Sequence, residues 1–264
     1  MVTRLILVFV AMVVLLFLVG KRFSFKWIIP KQNFSKKWRQ LLEKNVGFYA
    51  KLEPAQKKLF EYKVQEFLAN CNVTGYGTDL SDLDRLLVAS SAVIPIFAFP
   101  EWKYKNLKEV LVYESNFNLD FETKGRDRNI LGMVGEGIMD GKMILSREAI
   151  RQGFKNERDK RNTAIHEFIH LIDGADGTMD GIPRVLMEKQ YVLPWVNLIE
   201  KKLKLLMKKR IDIRPYGGTN ATELFAVLGE YFFERPYLLK KKHPELYSML
   251  EEVFDQDPDA EKLV

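Results

Sequence analysis

The chain is poor in residues that staple or ligate. Its 264 residues include one cysteine, Cys71, and three histidines, His166, His170 and His243. A single thiol excludes an intramolecular disulfide and fits a reducing compartment. Also missing are a nucleic-acid module and aromatic residues interleaved with basic ones for base stacking. Nucleic acid is therefore the weakest partner class, although the formal charge is +6. A solvated basic face accounts for that balance first, and an anionic membrane surface second. No internal repeat or low-complexity linker divides the chain. What is plentiful is ordinary: 47% apolar and 29% charged residues, enough for one large core.

Leu5–Gly20 is a run with no charge and no internal glycine or proline. At 1.5 Å per residue it spans roughly 24 Å, against a hydrocarbon core of about 30 Å. Phe23, Phe25, Trp27, Ile29 and the neighbouring lysines extend the contact through an interface. A cleaved signal peptide would need a small-residue site after the run, and Gly20-Lys21-Arg22-Phe23 follows instead. The expectation is a single-pass membrane anchor over residues 1–24, a catalytic domain over 25–254 and an acidic, frayed tail over 255–264. Only Arg4 precedes the apolar segment, whereas Lys21, Arg22, Lys26, Lys31, Lys36, Lys37 and Arg39 follow it. The positive-inside rule then puts the domain on the cytoplasmic side of the cell membrane.

Two of the three histidines fall in Thr163-Ala164-Ile165-His166-Glu167-Phe168-Ile169-His170-Leu171-Ile172, an H-E-x-x-H pattern inside an apolar helical run. Residues four apart share a helix face, so His166 and His170 can aim two imidazoles at one point. Zinc takes such nitrogens at about 2.0–2.1 Å. Glu167 beside them can serve as general base toward a water at the metal. The alternative is a pair of core histidines hydrogen-bonded to backbone, with Glu167 in a salt bridge. The uncharged flanks weigh against it, because buried polar groups are costly unless something pairs them.

Around this stretch the sequence predicts mostly helix: Ser35–Val46, Pro54 to about Asn70, and a segment from Leu80-Ser81-Asp82 that Pro95 stops. Gly75-Tyr76-Gly77 reads as a break. Strand signals are Val110–Tyr113, Leu131–Gly137 and Lys142–Leu145, with Asp140-Gly141 as a tight hairpin turn between the last two. Ser146 caps a short helix at Arg147–Gln152, and the H-E-x-x-H helix starts near Asn156 or Glu157 and ends near Asp173-Gly174. Asp176–Gly181 is a turn; it lacks the spacing and terminal glutamate of an EF-hand loop. Val185–Arg210 is helical but broken at Pro194. A helix capped by Thr219 or Asn220 runs to about Glu234, and Pro244–Phe254 forms the last one.

Two histidines do not complete a catalytic zinc site, which takes three protein ligands and a water. His243 precedes a proline in a loop, so a carboxylate is expected. Glu223 and Glu230 lie seven apart on one helix face, and pattern alone does not choose between them.

The H-E-F-x-H helix together with Tyr216, Asn220 and Glu223-Leu224-Phe225-Ala226 resembles the Mlc titration factor A family of zinc peptidases. Over these two segments it is also similar to the catalytic domain of anthrax lethal factor. The resemblance implies an α+β, mainly helical, zincin-like fold with a small mixed β-sheet. It also implies that Glu223 is the third zinc ligand and that Tyr216, seven residues earlier, stabilises the oxyanion. Glu230 then orients a ligand histidine, with Asn220 behind the metal-binding residues as well. Some family members close the site with an upstream histidine; this chain has none before His166. The expected function is zinc-dependent hydrolysis of a peptide or protein substrate, whose strand pairs with the sheet edge near Met133–Gly137. The alternative is a zinc-holding module that sequesters a transcriptional repressor or another regulatory protein partner.

Overall fold

Prolines at the first helical turn, where the missing N–H costs nothing, begin three helices: α3 (Pro54–Asn70), α9 (Pro236–Lys242) and α10 (Pro244–Phe254). The computed structural model describes residues 27–124, 127–135, 139–156 and 159–260. Its other helices are α1 (Lys36–Asn45), α2 (Gly47–Lys51), α4 (Asp82–Val93), α5 (Arg147–Lys155), α6 (Thr163–Asp173), α7 (Lys189–Met207) and α8 (Ala221–Glu234). Four strands, β1 (Asn72–Tyr76), β2 (Glu109–Tyr113), β3 (Gly132–Val134) and β4 (Lys142–Ser146), form one sheet in the order β1-β2-β4-β3. β1 and β4 flank β2 in parallel, and β3 runs antiparallel to β4. The class is therefore α+β, mainly helical with a small mixed sheet.

Strand periodicity sorts the sheet's side chains. Val110, Val112, Met143 and Leu145 join the main core with the helices, while Tyr113 and Ile144 enter a smaller cluster with Phe117 on the other face. α6 and α8 lie at the centre of the main core; Phe168, Ile169, Phe225 and Leu228 are fully buried. They approach closely at Gly229, where a Cβ would stand 2.1 Å from Ile169 Cδ1. A side chain there would have to displace the Ile169 methyl from the seam between the two helices.

Several expectations are corrected. Gly75-Tyr76-Gly77 does not simply break the chain, because Gly75 and Tyr76 belong to β1, paired with Val112 and Tyr113. Asp140-Gly141 is not a tight hairpin turn: β3 ends at Val134, and the Gly141 carbonyl instead accepts hydrogen bonds from Lys108 and Glu109. The H-E-x-x-H helix starts at Thr163. α7 runs unbroken through Pro194, its sixth residue, which leaves the Gln190 carbonyl without its helical donor. The tail is not frayed where it leaves α10. Tyr247 donates to Asp257, and Gln256 Nε2 donates to the Ile94 carbonyl at 3.0 Å.

The single-pass membrane expectation is also corrected: among the described residues no helix is long and apolar enough to cross a membrane. The longest apolar candidate, α7, carries Lys189, Glu200, Lys201, Lys202 and Lys204, charges that hydrocarbon does not accommodate. Leu5–Gly20 lies outside the described residues.

Candidate metal centre

Asn162 sets the start of α6. Its Oδ1 accepts from Ile165 N at 3.2 Å, and its own N–H donates to Glu230 Oε2 at 2.8 Å. The cap thus fixes α6 against α8. Four residues later the helix presents His166, and one turn on His170, both buried. On α8, Asn220 Oδ1 caps the first turn by accepting from Glu223 N at 2.8 Å. Glu223 therefore projects from a fixed helix start toward the two imidazoles.

The resulting triangle is small. His166 Nε2 lies 3.1 Å from His170 Nε2 and 3.1 Å from Glu223 Oε2, and His170 Nε2 lies 3.6 Å from the same oxygen. Ligand atoms about 2.0–2.1 Å from a tetrahedral zinc stand roughly 3.3 Å apart. All three edges fall close to that value, so these side chains fit a metal ion without rearrangement. Two imidazole nitrogens and a carboxylate oxygen are all electron-pair donors, which suits a borderline cation.

Electrostatics agree with the geometry. Burial opposes ionisation of Glu223, but the adjoining imidazoles of His166 and His170 outweigh it and hold its carboxyl far below the ordinary range. Burial likewise opposes protonation of His166, yet Glu223 and Glu230 lift its pKa from 6.5 to about 9. The cluster attracts positive charge. Glu167 is buried, which pushes its carboxyl pKa up against the opposing pull of His166 and His170. β3 packs directly over it: a Cβ on Gly132 would meet Glu167 Cγ and Oε1 at 2.8 Å. Glycine there lets the edge strand lie against the candidate base.

Glu230 does not join the triangle. It sits behind it, fully buried, with Oε1 2.7 Å from His166 Nδ1. In the neutral ring that contact makes Nδ1–H the donor and turns the Nε2 electron pair toward the cluster. Tyr216 lies on the short 3-10 turn Pro215–Gly218, its ring 5.9 Å from that of His166. Burial first, then the charge of Glu223, keeps its hydroxyl protonated by raising its pKa.

One neighbour escaped sequence reasoning. Arg214 donates to Glu230 Oε1 and lies 5.7 Å over the Tyr216 ring. It touches both the carboxylate behind His166 and the aromatic beside it. No periodicity marks a loop arginine. The only available signal was that a buried glutamate needs a counter-charge.

An H-E-x-x-H helix whose two imidazoles meet a carboxylate from a second helix, beneath a sheet edge, is the arrangement of a metallopeptidase-like protein. The chain belongs to the family described as glucose-regulated metallo-peptidase M90, whose model matches residues 21–255. It is 28% identical over 232 residues to protein slr2042 of Synechocystis sp., covering 84% of each chain. It is 26% identical to Mlc titration factor A of Pectobacterium atrosepticum over 69% of this chain and 71% of that one. The Klebsiella pneumoniae protein of the same name is 25% identical over 86% of this chain and 88% of its own.

Proposed function

We propose that the protein is a zinc-dependent peptidase of zincin-like fold, with its catalytic unit in residues 25–254. His166, His170 and Glu223 would hold the metal. The observation that carries this reading is the triangle of 3.1, 3.1 and 3.6 Å with Glu167 at its side. Bound there, zinc supplies the Lewis acidity that makes water a nucleophile near neutral pH. The remaining work belongs to side chains. Glu167 takes the proton from the attacking water and returns it to the leaving amine. Tyr216, kept protonated, donates a hydrogen bond to the oxygen on which charge develops. Glu230 orients His166, and Asn220 fixes the turn from which Glu223 projects. β3, paired on one side only, offers its free edge to an extended peptide.

A second reading has its own support. Two relatives are named Mlc titration factor A, a name that suggests capture of a repressor protein rather than its destruction. The protein would then be a zinc-holding module whose partner is a transcriptional regulator. Peptide-library cleavage with and without a zinc chelator separates the two. Chelator-sensitive cleavage supports the peptidase, and zinc binding without any cleavage supports the module.

A further inference from the structure

A cleft of about 500 Å³ opens beside His170, within the size range of ligand pockets, about 300–1,000 Å³. Buried Tyr104 and Leu107 line it, as do Val134 at the end of β3 and Leu171 on α6. Met179 and Val185, from the segment after α6, stand at its mouth with 44% and 40% of their surfaces exposed. A lone exposed apolar residue needs no explanation, but apolar residues converging on a concavity beside polar, chemically competent groups mark a ligand pocket. Charge does not select here, because Lys103, Lys105 and Lys142 share the lining with Glu101 and Asp140. β3 connects this cleft to the metal centre: Gly132 lies against Glu167, and Val134 lines the cleft. A peptide extended along that edge passes from the candidate base to the cleft over the length of one short strand.

We infer that this cleft is the side-chain pocket of the site and takes a bulky apolar residue flanking the bond to be cut. The inference rests on the zinc-peptidase reading above. Met179 suits the mouth of such a pocket, because its flexible thioether adapts to aromatic and aliphatic shapes alike.

The test uses the zinc-loaded full chain and amino-acid hydroxamates, which chelate zinc and carry a single side chain. Phenylalanine and leucine hydroxamates should bind at least about tenfold tighter than glycine hydroxamate, the effect of burying such a side chain. Ala175→Trp, which puts an indole into the cleft from an exposed position, should abolish that preference without loss of bound zinc. Met179→Gln, a milder change, should reduce it. Equal affinities for the three hydroxamates in the wild type, or a preference untouched by both variants, overturn the pocket alone. A wild type that binds no zinc overturns the zinc-peptidase reading and takes the pocket with it.

Discussion

Among the buried clusters of charge that join this protein's helices, those around Glu61 and Glu223 are completed in different ways. Both carboxylate oxygens of Glu61 meet donors. Arg39 Nε and Nη2 each lie at 2.7 Å and the Tyr49 hydroxyl at 2.6 Å. That cluster ties α1 and α2 to α3 and is electrically closed. The Glu223 cluster brings a carboxylate oxygen and two imidazole nitrogens to 3.1–3.6 Å, groups that accept rather than donate unless protonated. Burial of charge is common to both regions. The balance of donors and acceptors separates a structural ion pair from a site that calls for a cation.

Mutations can break that contrast, and the largest effect is expected at the base. Glu167→Gln should cut peptide hydrolysis by about 10²–10⁴-fold, the usual weight of a general base, while metal analysis finds the zinc content of the wild type. Wild-type turnover in that variant would remove Glu167 from the chemistry. At the closed cluster, Glu61→Ala should lower the unfolding free energy by about 2–3 kcal/mol in urea titrations. Its partner Arg39 is half-exposed, which keeps the loss at the low end for a broken pair. Zinc binding should not change. A loss of zinc there would show that the two clusters are coupled.

Smaller effects sharpen the comparison. Arg214→Ala should weaken zinc binding by about 10–100-fold in chelator competition, because Glu230 loses the guanidinium that aims it at His166. An unchanged affinity would make Arg214 an ordinary structural residue. The smallest effect is in pH. Burial favours the neutral form of Glu61, but Arg39 and Tyr49 hold its pKa below the ordinary 4.5. The folded state therefore binds fewer protons there than the unfolded chain. This contribution to stability is whole above pH 4.5 and is lost as the pH falls through the folded value. In Glu61→Ala the same part of the acid-unfolding curve should flatten.

Much of this was legible in the residues. Pro54, Leu80-Ser81-Asp82 and the Thr219-Asn220 pair gave helix starts that agree with the structure, where Ser81 and Asn220 are the caps, because capping and proline chemistry are local. Pattern left Glu223 and Glu230 equivalent as ligand candidates. The structure puts one in the triangle and the other behind His166, a distinction of depth that helical spacing does not carry. β1 was missed because it exposes four of its five residues and contains a glycine, so Gly75 and Gly77 read as a break although Val73, Thr74 and Tyr76 favour a strand. The connection between β3 and β4 was misjudged because Asp-Gly signals a turn without saying how long the loop around it is. Arg214 could not be found, since its role depends on contacts with Glu230 and Tyr216 that only folding creates.

The central claim is tested most directly by the metal content of the full chain purified without chelator, wild type beside Glu223→Ala. One zinc per wild-type chain, and next to none in the variant, is the predicted result. A metal-free wild type, or zinc kept undiminished without the Glu223 carboxylate, would contradict it.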